Sequence, residues 1–236
     1  MFAFLLLLAS LAAGPARAEP ACRADLVDTV CTCDVTALHP LQGALGRAQV
    51  EEHRAWIEAH RDAAWEDLKR DPIKVVAGPG GALFILDHHH TAEAWRRLGA
   101  RDVFCEVGAR PFTSDEDFWA GLQKDRLVRL ANAGGEPIAP ADLPRSLDAM
   151  PDDPYRTLAG RLRRAKAYCR PKEGQEFFEF RWADWLRRRP ELPADAVRAA
   201  PDNLLGVAER VVDKDAGAGD LPPGANPTRG ACPKEG

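Results

Sequence analysis

The spacing of apolar residues predicts that short strands alternate with helices in the middle of the chain. The predicted elements are a helix over Arg47–Arg70 with a break near His60, a strand over Ile73–Val76, a turn at Gly78–Gly81, a strand over Leu83–Leu86, a helix over Thr91–Leu98 and a strand over Val103–Val107. Apolar residues at helical spacing define the helices, and short β-prone runs define the strands. Asp71-Pro72 ends the first helix because a residue before proline avoids the α region.

The second half of the chain is predicted to be helical. The predicted helices run over Phe118–Leu130 with a cap at Ser114, from Asp153-Pro154 to about Tyr168, over Glu176–Arg189 and over Asn203–Val212. Strands followed by a run of helices indicate an α+β fold, with a small mixed sheet and a helical C-terminal region.

The first residues predict export. Phe2–Ala13 is almost entirely apolar, Gly14-Pro15 interrupts it, and Ala16-Arg17-Ala18 fits a small-x-small cleavage site. This is the layout of a signal peptide over residues 1–18, cleaved after Ala18, in a secreted or periplasmic protein that keeps no membrane segment. Because no Lys or Arg precedes the apolar run, an uncleaved anchor is the alternative.

The charge balance gives no general attraction to nucleic acid. The net charge of −4 becomes −5 once Arg17 is removed. Two basic clusters, Arg161–Lys166 and Arg187–Arg189, are either a local patch for a nucleic-acid backbone or solvated helix faces paired with neighbouring acids.

Six cysteines remain after cleavage, and outside the cytosol an even number predicts disulfides. Cys31 and Cys33 are too close to pair with each other, so each is expected to pair elsewhere. Cys232 would pin a Pro- and Gly-rich tail. Cys105 lies in an apolar strand, where a buried free thiol is the alternative to a disulfide. Zinc is disfavoured because the sequence has no CxxC pair.

The segment Asp87-His88-His89-His90 lies where a predicted strand passes into a helix. A helix N-terminus offers unpaired N–H groups and a positive dipole to phosphate, and histidine adds donors and acid–base capacity. We therefore predict Asp87, His88, His89 and His90 as catalytic, and His89, His90 and Thr91 as phosphate-binding. The possible supporting residues are His39, Gln42 and Glu93. The alternative is structural, with Asp87 as a helix cap and the histidines divided between core and surface.

The geometry of a helix limits how this segment can bind a metal. Adjacent helical side chains point about 100° apart, so three consecutive histidines cannot share one ion. His88 with His90, or His89 with Glu93, are the pairs that could. The cofactor is therefore left unknown, with a divalent metal possible.

The chain resembles a known family at several points. The matching residues are Leu38-His39-Pro40, Gln42, Gly46, Pro72–Val76, Gly78–Gly81 and Asp87–His90. They resemble the putative ParB-like nuclease family of the ParB/sulfiredoxin superfamily, over roughly residues 38–189. The resemblance implies a small α+β domain that binds phosphate-bearing ligands at this turn. The sequence departs from the best-known relatives, because Thr91 stands where they have arginine and no cysteine lies in the loop.

The resemblance and the predicted export suggest an exported phosphodiester hydrolase that acts on a phosphate-bearing ligand or nucleic acid. The alternatives are a non-catalytic binding protein with the same fold, and a phosphotransferase of the free-serine-kinase type. The predicted layout is a signal peptide (1–18), a cysteine-containing lead-in (19–37), a ParB-like domain (38–112), a helical region packed on it (113–212) and a loose tail (213–236).

Overall fold

The computed structural model describes residues 19–109, 114–170, 176–219 and 221–222. The predicted signal peptide and Cys232 lie outside these residues. The strands are β1 (Val30–Asp34), β2 (His39–Pro40), β3 (Ile73–Ala77), β4 (Leu83–Ile85) and β5 (Asp102–Gly108). The α-helices are α1 (Arg47–Ala59), α2 (Arg61–Arg70), α3 (His89–Arg97), α4 (Asp115–Lys124), α5 (Pro154–Arg164), α6 (Phe178–Arg187), α7 (Ala194–Ala199) and α8 (Leu205–Ala218).

The strands form one mixed sheet in the order β1-β5-β3-β4-β2. β3 and β4 are antiparallel and make the predicted hairpin, while β3 pairs with β5 in parallel. The turn between β3 and β4 contains Gly80 and Gly81 at φ values of 65° and 83°, a region that glycine enters without steric cost. The α+β fold and the break between α1 and α2 are both confirmed.

Strand β1 is the main difference from the expected layout. The sequence pattern predicts an irregular lead-in over residues 19–37, but Val30–Asp34 is an edge strand of the sheet. It pairs antiparallel with β5, so that Val30 lies opposite Glu106 and Asp34 opposite Asp102. The strand was missed because five residues between irregular segments are a weak pattern until their partner, more than 60 residues away, is known.

Helices cover both faces of the sheet. Ile73, Val75 and Val107 pack in one core with Trp95 of α3 and with residues of α1 and α2. On the opposite face, Val76 packs with a smaller cluster that includes residues of α4. The N-termini of α3 and α1 are thereby held next to each other beside the sheet.

The C-terminal helices form a third core around stacked aromatic rings. Tyr168 and Trp182 lie parallel, with ring centroids 3.9 Å apart, and both are fully buried. Helix α5 begins as predicted, because Asp153 Oδ1 accepts hydrogen bonds from the backbone N–H groups of Tyr155 and Arg156. Helix α4 ends at Lys124, earlier than predicted.

The end of α4 is set by a left-handed residue. Arg126 has φ of 57°, and the Leu127 N–H donates to Leu122 O, which closes the helix. The apolar residues from Leu127 to Leu130 therefore lie in an extended segment that leads back to the sheet, where Arg129 N–H donates to Leu41 O.

One disulfide joins the N-terminal segment to β1, and a second joins β1 to β5. Cys22 pairs with Cys31, and Cys33 pairs with Cys105. Cys169 is disulfide-bonded as well. Cys105 is therefore not a free thiol, and the expectation that Cys31 and Cys33 pair elsewhere is confirmed. Disulfides are typical of oxidising compartments, which is consistent with an extracellular protein.

The basic clusters are paired with acids. Arg161 and Arg164 both bind Glu52, and Arg163 binds Glu179. Arg187 lies 2.9 Å from Asp153. These contacts match the expectation of ion-paired helix faces. None of the helices in the described ranges is long and apolar enough to cross a membrane.

Candidate functional site

The segment Asp87–His90 forms a tight corner between β4 and α3. The backbone N–H groups of Leu86 and Asp87 both donate to Lys74 O, which holds the corner on β3. His88 is the N-cap residue and has a left-handed backbone with φ of 71°. Its N–H donates to Asp87 Oδ1 at 2.7 Å. Asp87 therefore stabilises the corner but does not cap α3.

Two of the three histidines point inward. His89 Nε2 accepts a hydrogen bond from the Leu41 N–H at 3.3 Å, and His90 Nε2 accepts one from the Gly46 N–H at 3.1 Å. Both donors belong to the loop between β2 and α1. The two rings thus tie the start of α3 to this loop.

The environment keeps both rings neutral. Burial lowers the pKa of His89 to about 3, and burial together with nearby Arg156 holds the pKa of His90 well below the usual range. A neutral imidazole retains the lone pair that accepts a backbone N–H. The hydrogen bonds and the lowered pKa values therefore both indicate that the rings of His89 and His90 are neutral.

Several donor atoms of the predicted metal pairs are already engaged. The Glu93 side chain is only 1% exposed, and its two carboxylate oxygens bind Arg96 and Arg97 at 2.6–3.0 Å. His89 and His90 use Nε2 for backbone donors. In the described part of the chain, the one group of three His, Cys, Asp or Glu residues with suitably close ligand atoms consists of cysteines.

His88 and Thr91 face a cleft between α1, α2 and α3, which we call the histidine cleft. It has a volume of about 490 Å³. Its lining residues are Glu52, His53, Trp56, Ile57, Ala64, Asp67, Leu68, Asp71, His88, Thr91, Trp95 and Arg164. One wall is apolar, and Trp56 there is 44% exposed. The polar residues gather where α3 begins.

Two imidazoles in the histidine cleft have polar partners. His88 Nε2 lies 3.5 Å from Asp71 Oδ2, and His53 Nδ1 lies 3.2 Å from Thr91 Oγ1. Burial and the positive charge of Arg164 lower the pKa of His53, so its ring is neutral at neutral pH. The cleft thus combines an imidazole oriented by a carboxylate with a neutral imidazole beside a hydroxyl.

Asp87 faces a second cleft, between the sheet and the C-terminal helices, which we call the arginine cleft. Its volume is about 340 Å³. Its lining residues are Gln42, Lys74, Leu86, Asp87, Arg126, Leu127, Arg156, Arg170, Glu176, Phe177, Glu179 and Phe180. The Nε atoms of Arg156 and Arg170 are buried and have no hydrogen-bond partner. Four cations line this cavity against the three carboxylates of Asp87, Glu176 and Glu179, and the small excess of positive charge favours an anion.

The structure divides the predicted site residues among several places. Asp87 and Gln42 line the arginine cleft, whereas His88 and Thr91 line the histidine cleft. His39 stacks on Phe84, with ring centroids 5.0 Å apart, and lines neither cleft.

Five polar residues of the histidine cleft were not predicted as catalytic or phosphate-binding: Glu52, His53, Asp67, Asp71 and Arg164. Arg164 was recognised only as part of a basic cluster, and no local motif marks the other four, which come from α1 and from α2 and its end. One available signal was the position of His53 in the helix predicted over Arg47–Arg70, which directly precedes the predicted β-hairpin.

Comparison with known proteins identifies the family. The sequence matches the family described as "Putative ParB-like nuclease" over residues 31–188. The chain belongs to this family. The match begins at Cys31 and so includes all of β1 except Val30. No curated protein matches the sequence.

The following solved structures are similar to the chain to different extents. Protein Atu1540 from Agrobacterium tumefaciens is 30% identical, with a TM-score of 0.69, and the alignment covers 83% of this chain and 97% of that one. The chromosome-partitioning protein ParB from Caulobacter crescentus, complexed with CTP-gamma-S, is 12% identical with a TM-score of 0.29, covering 78% of this chain and 99% of that one. A conserved hypothetical protein from Pyrococcus furiosus is 16% identical, covering 38% and 34%, with a TM-score of 0.26. The last two are too dissimilar to support any inference about the site.

Proposed function

We propose that this protein is an exported phosphodiester hydrolase whose reaction takes place in the histidine cleft. The observation that carries the proposal is that His88 and His53 line one cavity, each with a polar partner, at the N-terminus of α3. Two imidazoles on one substrate can transfer the two protons that cleavage of a phosphodiester requires.

His53 is the candidate general base. Its low pKa keeps the ring neutral, which a base requires. The role needs the tautomer in which Nδ1–H donates to Thr91 Oγ1, because Nε2 then holds the lone pair that removes a proton from water. His88, oriented by Asp71, is the candidate acid that protonates the leaving oxygen.

The substrate phosphate would lie against the first turn of α3. The first N–H groups of a helix have no partner within it and favour an anion. Thr91 Oγ1 and the Arg164 guanidinium border the same cavity and can contact phosphate oxygens. The apolar wall around Trp56 would hold the uncharged part of the ester.

The test is hydrolysis of bis-p-nitrophenyl phosphate and of a labelled single-stranded oligonucleotide, with and without Mg²⁺ or Mn²⁺. We expect His53→Ala and His88→Ala each to lower kcat/KM about 10²- to 10⁴-fold. We also expect the acidic limb of the pH profile to lie below pH ~6.5 and to disappear in His53→Ala.

His39→Ala serves as the matched control, because this histidine stacks on Phe84 and lines neither cleft. Circular dichroism of all three variants checks the fold. Unchanged turnover in both His53→Ala and His88→Ala would contradict the proposed mechanism.

The arginine cleft supports a second candidate function, the binding of a phosphate-bearing ligand without turnover. Its support is the set of Lys74, Arg126, Arg156 and Arg170 around one cavity. Calorimetric titration with pyrophosphate tests it, and Arg126→Ala should weaken binding. If the wild-type protein binds pyrophosphate but hydrolyses no ester with any metal, this candidate replaces the hydrolase.

A further inference from the structure

The two disulfides of the N-terminal segment lie against each other. The sulfur atoms of Cys22, Cys33 and Cys105 are all within 4.8 Å of one another, although Cys22 belongs to one bridge and the other two belong to the second. A thiol at Cys22 would therefore start within a short movement of a disulfide.

Strand pairing produces this arrangement. Cys31 and Cys33 point to the same buried face of β1, and Cys31 lies opposite Cys105 of β5. Cys22 is fixed beside the strand because its N–H donates to Thr32 O at 2.8 Å. The backbone thus holds all four cysteines of the two bridges together.

The bridges differ in their access to solvent. Cys22 is partly exposed, whereas Cys31, Cys33 and Cys105 are 0%, 6% and 0% exposed. A reductant in solution can reach the first bridge at Cys22 but finds both sulfur atoms of the second bridge covered.

We propose that the two bridges form one thiol–disulfide exchange site, in which Cys22 passes reduction inward from a dithiol to the Cys33–Cys105 bridge. In the first step a dithiol, from a small molecule or a partner protein, opens the Cys22–Cys31 bridge and becomes a disulfide itself. Cys22 and Cys31 each gain one electron and one proton.

The second step is internal and needs no further reductant. The Cys22 thiolate attacks the sulfur of Cys33 or Cys105, a new S–S bond forms to Cys22, and the bond between Cys33 and Cys105 breaks. The displaced sulfur leaves as a thiolate and takes up the proton that Cys22 lost. The exchange releases β1 from its covalent link to β5 while Cys22 keeps one disulfide.

Limited reduction of the wild-type protein tests the proposal. The protein is treated with less than one equivalent of a phosphine, quenched by alkylation and digested with trypsin, which cuts after Arg23 and Arg101. We expect a disulfide between the peptide ending at Arg23 and the peptide beginning at Asp102, or a Cys22–Cys33 link, with alkylated Cys31. Alkylation confined to Cys22 and Cys31, with Cys33–Cys105 intact, would overturn it.

Cys31→Ser tests the same step without any reductant, because it leaves Cys22 as a free thiol. We expect Cys22 to appear in a disulfide with Cys33 or Cys105, and the exchange rate to rise about 50-fold from pH 6.5 to pH 8.5 as an ordinary thiol ionises. Cys22→Ser is the matched control, since it removes the attacking sulfur, and should keep Cys33–Cys105. If Cys31→Ser also keeps only Cys33–Cys105, the proposal fails.

Discussion

The buried ring of His89 makes the stability of the protein depend on pH in a way that can be calculated. The folded protein holds the pKa of His89 at about 3, against an ordinary value of 6.5. Between these values the unfolded chain binds a proton that the folded protein does not bind. The contribution of the neutral His89 ring to stability is therefore fully present above pH ~6.5 and is lost progressively as the pH decreases toward ~3.

The magnitude follows from the size of the shift. Each pH unit below 6.5 costs about 1.4 kcal/mol, so His89 alone should lower the free energy of unfolding by ~2 kcal/mol at pH 5. His89→Gln removes the titration but keeps an acceptor that can reach the Leu41 N–H. His89→Leu also leaves that N–H without a partner, which costs about 1–3 kcal/mol at every pH.

Urea unfolding followed by tryptophan fluorescence at pH 7 and pH 5 measures these terms, because several of the six tryptophans are buried. Relative to wild type, His89→Gln should lose ~2 kcal/mol less between the two pH values, since all other titrating groups cancel in the comparison. His89→Leu should be destabilised already at pH 7. The same loss of stability in wild type and His89→Gln would refute the reasoning.

Three further predictions concern backbone and charge. Gly43→Ala should lower the thermal midpoint by several degrees, because its Cβ would lie 2.0 Å from Ala131 O. Gly206→Ala should not, because its Cβ would make only an ordinary contact with the Arg210 side chain at 3.7 Å. Arg126→Gly should raise the free energy of unfolding by about 0.5–1 kcal/mol by relieving the left-handed arginine, and should weaken pyrophosphate binding in titration calorimetry. Glu179→Gln should cost about 3–5 kcal/mol in urea unfolding, because this carboxylate is 5% exposed among three arginines; a cost below 1 kcal/mol would mean that the arginines re-pair.

Part of the candidate site was predictable from the sequence. The strand-to-helix corner at Asp87–His90 was located because a β-prone run ends and a helical pattern begins there, which are local properties. Local pattern also gave the β3–β4 hairpin, α3 and the Asp153 cap. Side-chain direction at the corner was not predictable, since it depends on the left-handed backbone of His88 and on partners about 45 residues away in the chain.

The sequence by itself determined the class of fold, the order of most elements and the location of the strand-to-helix corner at Asp87–His90. Only the tertiary structure made β1 a strand, because an edge strand is defined by its ladder to β5 and five residues carry little signal alone. Only the tertiary structure also decided which of the three histidines point inward and which faces a cleft. It turned His89 and His90 toward the N–H groups of a distant loop and left His88 facing a cleft with His53. The cause is that buried backbone N–H groups need hydrogen-bond acceptors. The segments that supply donor and acceptor lie far apart in the chain, so the sequence pattern does not reveal the pairing.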